Sequence, residues 1–206
     1  MPVEQPRRKR MSGRERREQL IDISRQLFAA RGFEGTSIEE IATTAGVSKP
    51  VVYEHFGGKE GLYAVVVDRE VGRLLRTIGR TAAGAGTRNP IERLVWAWLN
   101  YVSENPEGFR ILTRDMSIDG STFRSVTDDL AIRFEPWISE EIVNKGGDPN
   151  DAPVSTQMIL GAIVRTVAWW FDTRKIEKEM LAAQLIRMLA NSLRPLEDYS
   201  PATGQV

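Results

Sequence analysis

The segment from Ser37 to Lys59 constrains the fold more than any other, because it encodes two short helices joined by a tight turn. In its first half, apolar residues follow at three and four positions after Ile38, so they would share one helix face. These residues are Ile38, Ile41 and Ala42. Gly46 then interrupts the pattern, and a glycine can adopt the left-handed backbone conformation that ends a helix.

The start of the first short helix can be placed in two ways. Ser37 is a natural N-cap, and Glu40 three residues later completes a capping box. Thr36 with Glu39 fits the same pattern, so the boundary is defined to within one residue.

The second short helix would present its outer side chains to solvent. Ser48 would cap it, and Pro50 lies in its first turn, where proline displaces no helix hydrogen bond. The residues spaced to pack inward are Val47, Val52 and Phe56. The outer and flanking faces are shared by Lys49, Pro50, Val51, Tyr53, Glu54 and His55. This arrangement is a helix-turn-helix, whose second helix enters the DNA major groove in the known cases.

Residues 14–69 resemble the N-terminal domain of the tetracycline-repressor (TetR) family. The resemblance is carried by LFAARGFEGTSIEEIATTAGVSKPVVYEHFGGKEGLY, in which several motifs occur in order: Gly32-Phe33, Ala45-Gly46-Val47-Ser48, Tyr53-x-His55-Phe56 and Lys59-x-x-Leu62. It covers about the first third of the chain, and the remainder matches in length and helical character. It implies an all-α fold of about nine helices, with a three-helix DNA-binding domain followed by a helical ligand-binding and dimerisation domain.

The expected domain organisation follows from this resemblance and from breaks in the pattern. We expect a disordered basic arm at 1–12, a helix-turn-helix domain at 13–60, a ligand-binding and dimerisation domain at 61–194, and a tail at 195–206. The arm is either a solvated tail or a segment that follows phosphates or enters the minor groove. A long helix over 59–80 would bridge the two domains, and 82–88, rich in Gly and Thr, would be a loop.

Further helices are predicted over 14–31, 89–104, 107–116, 123–144, 154–171 and 176–193. Asn89 and Pro90 supply a cap and a first-turn proline for the second of these. Pro136 is expected to kink or split the helix over 123–144, because proline removes a hydrogen bond and clashes with the preceding turn.

Charge and composition restrict the classes of protein. The 28 basic and 28 acidic residues give a formal net charge of zero, yet the N-terminus is locally basic, as a nucleic-acid partner requires. There is no cysteine, which excludes disulfides, thiolate metal sites and cysteine nucleophiles. The sequence shows neither the apolar segment of a secretory signal nor a run that would span a bilayer. We therefore expect a cytoplasmic protein with no membrane partner.

An enzymatic interpretation finds little support. His55 is the single histidine, so neither a histidine metal set nor a histidine–cysteine pair can form. We expect no catalytic residues, metal or cofactor. His55 is either a half-buried helix residue or, as the resemblance implies for it and for Tyr53, a residue that faces the DNA backbone.

The predicted DNA contacts lie on the helix-turn-helix and at the helix starts beside it. They are Thr36, Ser37, Lys49, Pro50, Val51, Tyr53, Glu54, His55 and Lys59. Lys49 would read guanine or bind a phosphate, unless it is an ordinary solvated lysine. The resemblance implies that Thr36, Ser37 and Lys59 hold phosphates, aided by backbone N–H groups.

The resemblance also implies an effector cavity among the C-terminal helices. Its candidate lining residues are Trp98, Tyr101, Phe109, Phe134, Trp137 and Met158, although tryptophans are more often ordinary core residues. NPEGFRILTRD and SKPVVYEHF are similar to segments of actinobacterial TetR-type regulators of lipid metabolism that respond to long acyl chains. The expected effector is thus a small apolar molecule such as a fatty acid or an acyl-CoA.

The last two helices carry apolar residues on more than one face, which indicates burial on several sides. Either one protomer core buries them, or they form a four-helix bundle across the two-fold axis of a homodimer, which we favour. The predicted interface residues are Ile159, Ile163, Val167, Trp170, Leu185, Ile186 and Leu189.

The sequence therefore favours a transcriptional regulator, namely a repressor released from a palindromic operator by an apolar ligand. The main alternative is a ligand-independent activator or architectural DNA binder, which would need no cavity. An enzyme would need a reactive constellation, and a protein-interaction module would dock its helix-turn-helix on another protein.

Overall fold

The computed structural model describes residues 11–83, 89–115 and 121–194, without the side chains of 81–83, 114–115 and 121–126. The predicted basic arm up to residue 10, the tail at 195–206 and most of the predicted loop at 82–88 lie outside these residues. The described ranges contain α-helices and one 3-10 helix but no strand, which confirms the all-α fold class.

The nine helices of the described ranges are close to the predicted segments. They are α1 (Gly13–Arg31), α2 (Ile38–Ala45), α3 (Lys49–Phe56), α4 (Lys59–Ala83), α5 (Pro90–Glu104), α6 (Pro106–Asp115), α7 (Ser121–Asn144), α8 (Ala152–Thr173) and α9 (Lys178–Asn191). A 3-10 turn over Pro149–Asp151 leads into α8.

Pro136 was expected to kink or split the seventh helix, and splitting is wrong, because α7 continues through Pro136. Pro136 and Ile132 are both exposed, so the carbonyl that loses its helix partner lies where water can reach it. On the opposite side, Phe134, Ile138 and Ile142 are buried and hold the two halves of α7 in one helix.

The chain forms two compact units whose limits differ from the expected boundary at residues 60 and 61. The first unit comprises Met1–Val71 with Glu107–Arg114, and the second comprises Gly72–Pro106 with Asp115–Val206. Within the first unit, ion pairs join α1 to α4 well beyond residue 60. Arg69 makes two hydrogen bonds to Glu18, at 2.5 and 2.8 Å, and these contacts explain why the α4 segment up to Val71 stays with α1.

The core of the first unit surrounds α1. Leu20, Ile41, Val52 and Leu62 are fully buried, one from each of the first four helices. At the start of α1, Ser12 and Glu15 form a reciprocal capping box that was not predicted, although Ser-x-x-Glu is its signature.

The core of the second unit surrounds α5, which packs against α7, α8 and α9. Every side chain from Ile91 to Val102 on this helix is buried or half-buried, including the fully buried Trp98. Asn89 caps α5 by accepting a hydrogen bond from the N–H of Ile91 at 2.8 Å, as predicted. No helix in the described part of the chain is both long enough and apolar enough to cross a membrane.

Candidate nucleic-acid interface

The turn between α2 and α3 sets the direction of the candidate recognition helix. Gly46 has φ 66° and ψ 38°, a left-handed conformation, and its N–H bonds to the last carbonyls of α2. A Cβ at this position would meet nothing within 4 Å, so the backbone conformation, and not space, favours glycine here. The N–H of Val47 also bonds to Ala42 at 2.9 Å, and Val52 is fully buried beneath α3. The predicted helix-turn-helix is present.

The outer face of α3 is open to solvent. Lys49, Pro50, Tyr53 and Glu54 are exposed, with 53% of the Tyr53 surface accessible. Val51 and His55 are half-buried at the sides of this face. The structure therefore brings the predicted α3 contacts together on one accessible surface, hereafter the recognition face.

Beside the recognition face, the starts of α2 and α4 converge on one surface concavity of about 480 Å³. It is lined by residues 34–38, Tyr53 and residues 57–60. Two helix N-termini that face the same space direct backbone N–H groups and positive dipole ends at it, which favours an anion such as phosphate. Glu34 and Glu60 also line the concavity and oppose this attraction, so phosphate binding there would depend on geometry as well as charge.

Thr36 and Ser37 have different surroundings although they are neighbours. Thr36 is 2% exposed, and its hydroxyl donates to the carbonyl of Gly32 at 2.8 Å, with a longer contact to that of Leu27 at 3.3 Å. Its side chain thus positions the turn after α1 and is not available to phosphate. Ser37 is exposed and caps α2 by accepting from the N–H of Glu40 at 3.1 Å.

Lys59 is likewise held by the protein. Its Nζ donates to the carbonyl of Phe33 at 3.0 Å and lies 4.2 Å from the centre of the Phe33 ring. The Lys59 side chain therefore ties the start of α4 to the turn after α1, which orients the helix end that lines the concavity.

Lys49 has an ion-pair partner that sequence reasoning did not find. Its Nζ lies 2.8 Å from Oε2 of Glu39, in the first turn of α2. The hydrogen bond from Lys49, followed by its charge, lowers the pKa of the Glu39 carboxyl, so this side chain is ionised at neutral pH.

Two other features of this surface were also missed. The prediction that the Ser48 side chain caps α3 is wrong, because its hydroxyl makes no capping hydrogen bond, although Ser48 occupies the N-cap position and is exposed. Arg17 of α1 lies 4.8 Å from the centre of the Phe56 ring and covers the end of α3. Because Ser48 fits the N-cap pattern, its hydroxyl was expected to be engaged in the cap. The contact between Arg17 and Phe56 could not be predicted, because no local sequence pattern pairs residues so far apart.

His55 lies beside Phe56, with 6.0 Å between the ring centres, and is half-buried. Within the described ranges there is no group of three His, Asp or Glu side chains that could hold a metal ion.

The predicted effector-cavity residues are divided between the two units and differ in exposure. Trp98, Tyr101 and Phe134 are buried in the second unit, where Trp137 is half-buried with its ring centre 5.3 Å from that of Phe134. Phe109 is buried on the part of α6 that belongs to the first unit. Met158 is 52% exposed on α8, so including it in an internal lining was wrong.

The predicted dimer-interface residues point mainly into one protomer. Six of them are buried in the second unit, and Ile186 is half-buried. The six are Ile159, Ile163, Val167, Trp170, Leu185 and Leu189. They are unavailable to a partner because they already pack in the protomer core. A second apolar stripe on the same two helices is exposed instead, formed by Val154, Met158, Trp169, Met180 and Met188.

Comparison with known proteins agrees with this geometry. The model of a family described as bacterial regulatory proteins, tetR family, matches residues 20–66. The chain is 36% identical over 100 residues to the HTH-type transcriptional activator FasR of Mycolicibacterium smegmatis, which covers 48% of this chain and 45% of FasR. It is 27% identical over 133 residues to the probable HTH-type transcriptional regulator YttP of Bacillus subtilis, covering 63% of this chain and 64% of YttP.

The chain thus spans about half of the first relative and just under two thirds of the second. The crystal structure of a TetR-like transcriptional regulator from Rhodococcus sp. RHA1 matches with a TM-score of 0.73 at 22% identity, over 89% of this chain and 98% of that one. At this identity the likeness shows the fold alone. Residues 20–66 of this chain therefore match the family of bacterial regulatory proteins described as tetR, and the chain as a whole shares the fold of a TetR-like regulator.

Proposed function

We propose that this protein is a DNA-binding transcriptional regulator that inserts α3 into the major groove. The observation that carries this proposal is the position of the recognition face directly beside the concavity where α2 and α4 begin. The face offers Lys49 and Glu54 to base edges, and the concavity offers two helix N-termini to the adjacent phosphates. Such a regulator works beside the chromosome, in the cytoplasm.

The second part of the proposal is that two copies bind a palindromic operator. A single α3 of eight residues reads few base pairs, whereas two copies related by a two-fold axis reach half-sites about one DNA turn apart, ~34–36 Å. The exposed apolar stripe on α8 and α9 supports a homodimer, because solvent-facing Met and Trp side chains on these two helices favour association. The interface would use this stripe in place of the buried residues predicted from the sequence.

The third part is that an apolar effector binds in the second unit. Trp98, Tyr101 and Phe134 supply the aromatic side chains that line apolar ligand sites. The resemblance to actinobacterial lipid regulators favours a fatty acid or an acyl-CoA, and the similarity to the mycobacterial FasR fits that resemblance.

Ligand and DNA would be coupled as two states of one dimer. α4 begins in the first unit and continues into the second, so it is the continuous element through which a change can pass. An effector shifts the equilibrium only if it prefers one state, and a swing from about 1:99 to 99:1 requires roughly 5.5 kcal/mol of preference.

We favour a repressor that the effector releases. The second candidate function is that of a ligand-independent activator or an architectural DNA binder, and the naming of FasR as an activator supports activation. The sign of regulation and the response to ligand must therefore be tested together with DNA binding.

Selection of bound duplexes from a random pool, using the full-length protein, tests the proposal. We expect a palindrome with half-sites about one turn apart, and its loss from the selected pool when host-cell extract is added. A palindrome that is unaffected by extract would support the ligand-independent alternative. Tyr53→Ala should abolish enrichment while the variant stays folded, and failure of the unaltered protein to enrich any sequence would contradict DNA binding.

A further inference from the structure

The pair between Glu39 and Lys49 lies on the side of the molecule that the proposed function turns toward DNA. Glu39 is in the first turn of α2, beside the concavity, and Lys49 is the first residue of α3. Their side chains are 72% and 52% exposed, and Nζ lies 2.8 Å from Oε2. A carboxylate of the protein thus already binds Lys49, the lysine of the recognition face.

A phosphate oxygen and a carboxylate oxygen are alternative acceptors for the same ammonium group. Phosphates are present on every DNA sequence, and their contacts with lysine supply most of the affinity for non-specific DNA. If Lys49 binds a phosphate, it must either give up its contact with Glu39 or bring the negative charge of Glu39 close to the phosphate. Both are unfavourable, so the carboxylate of Glu39 weakens binding to arbitrary sequences.

A contact with a base edge, unlike a contact with phosphate, is compatible with the bond between Lys49 and Glu39. An ammonium group has three donors, so Lys49 can keep its bond to Glu39 and still donate to a guanine acceptor in the major groove. The bond to Glu39 also restricts a long flexible side chain to one region, which reduces the entropy lost when it contacts a base. The same pair therefore opposes phosphate binding and is compatible with base binding.

We propose that Glu39 is a specificity-determining residue, which withholds Lys49 from phosphates and holds it for base readout. This inference rests on the proposed function, because it has meaning only if α3 meets DNA. It assigns to α2 a part in sequence discrimination that does not require Glu39 itself to contact a base.

The test compares Glu39→Gln with the unaltered protein on two labelled duplexes, the selected palindrome and a scrambled duplex of the same composition. Fluorescence anisotropy between 50 and 200 mM KCl gives affinities and their salt dependence. We expect Glu39→Gln to bind the scrambled duplex about two- to fivefold more tightly, the range for release of an exposed ion pair. The salt slope on that duplex should steepen by about 1.8, as for one additional phosphate contact from each of the two protomers. Affinity for the palindrome should rise less or fall, so the specificity ratio decreases.

Glu60→Gln provides the matched control, because Glu60 is an exposed carboxylate in the first turn of α4 and lines the same concavity. It removes the same charge without releasing Lys49. Because every sequence carries phosphates, we expect it to tighten binding to both duplexes by the same factor and so to leave the specificity ratio unchanged. In a Lys49→Ala background, Glu39→Gln should then have no larger effect on the scrambled duplex than Glu60→Gln. Thermal unfolding of each variant separates these effects from changes in folding.

Two results would overturn the inference while leaving DNA binding intact. One is an equal effect of Glu39→Gln with and without Lys49, which would indicate simple charge repulsion. The other is an unchanged specificity ratio. If the unaltered protein binds neither duplex, the proposed function fails and this inference fails with it.

Discussion

At the scale of single residues, the hydroxyls of Thr36 and Ser37 have different roles in hydrogen bonding, one as a donor and the other as an acceptor. Thr36 donates to the carbonyl of Gly32 from a buried position, whereas Ser37 accepts from an N–H at the exposed start of α2. Thr36→Val removes the donor while nearly conserving shape, and leaves the Gly32 carbonyl without that bond. We expect a loss of about 1–2 kcal/mol in the free energy of unfolding, measured by urea denaturation.

The comparison with Ser37→Ala separates folding from binding. This variant should lose about 0.5–2 kcal/mol through the helix cap and also weaken DNA binding at the concavity. Thr36→Val should bind DNA normally under conditions where it is folded. A Thr36→Val protein of full stability but impaired DNA binding would show that its hydroxyl reaches phosphate after all.

The residues of the recognition face could be predicted because helical periodicity alone separates Val52 from Lys49, Tyr53 and Glu54. The surroundings of Thr36 and Lys59 could not, because the carbonyls of Gly32 and Phe33 that bind them belong to the turn after α1. The bond between Glu39 and Lys49 also escaped prediction, since it joins two helices across the Gly46 turn and has no local spacing rule.

At the scale of helices, two glycines of α4 differ in the space that a side chain would find around them. A Cβ on Gly61 would lie 2.0 Å from the carbonyl oxygen of Phe56, the last residue of α3. A Cβ on Gly79 would meet nothing within 4 Å. Gly61 therefore allows the first turn of α4 to pass the end of the recognition helix, whereas Gly79 has no such role.

Alanine at the two positions should change stability with opposite signs. We expect Gly61→Ala to lower the free energy of unfolding by about 1–3 kcal/mol, because backbone must move, and to impair DNA binding by displacing α3. Gly79→Ala should raise it by about 0.5–1 kcal/mol through helix propensity. Chemical denaturation measures both changes, and equal effects of the two substitutions would contradict the close approach of α4 to Phe56.

Arg25 connects three helices of the first unit. Its Nε lies 2.8 Å from Glu70 of α4, whose side chain is 1% exposed, and its Nη1 contacts Glu107 of α6. Burial of Arg25 opposes protonation, but the bond to Glu70 and the charges of Glu70 and Glu107 outweigh it and raise the arginine pKa. This cluster explains how a segment as distant in sequence as α6 belongs to the first unit.

Removal of the arginine should be costly because it breaks an ion pair whose carboxylate, that of Glu70, is buried. We expect Arg25→Ala to lower the free energy of unfolding by about 3–5 kcal/mol, and Glu107→Gln, at an exposed carboxylate, by less than about 1 kcal/mol. Urea denaturation at pH 7 measures both. A double replacement, Arg25→Met with Glu70→Leu, should recover most of the loss, and failure to recover would indicate that packing and not charge dominates.

At the scale of the whole molecule, the order of helices could be predicted, but the grouping of α6 with the first unit could not. Periodicity and caps identify each helix locally. The grouping depends on the contacts of Arg25 with Glu70 and Glu107, which follow the arginine by 45 and 82 residues in the sequence. The sequence was also insufficient for α8 and α9. It shows apolar residues on more than one face of these helices, but no local rule says which face is buried in the protomer and which is exposed.

The exposed stripe on α8 and α9 gives the final prediction. Met158 and Met188 are 52% and 67% exposed, one on each helix, and Ile132 on α7 is 74% exposed outside the stripe. If the stripe forms the two-fold interface, the double variant Met158→Glu, Met188→Glu buries four unpaired carboxylates in each dimer. We expect its dimer dissociation constant to rise at least about tenfold, because unpaired charges are costly to desolvate.

Sedimentation velocity over a concentration series measures this change. The control is the double variant Ile132→Glu, Val143→Glu, which adds the same charge at two exposed apolar sites on α7, outside the stripe. The control should remain as dimeric as the unaltered protein and bind the palindrome with unchanged affinity. The Met158→Glu, Met188→Glu variant should bind the palindrome more weakly in proportion to its monomer fraction, since each monomer reaches one half-site. If the control dissociates while the Met158→Glu, Met188→Glu variant remains dimeric, the interface lies on α7. The helices α8 and α9 would then not determine the spacing between the two operator half-sites.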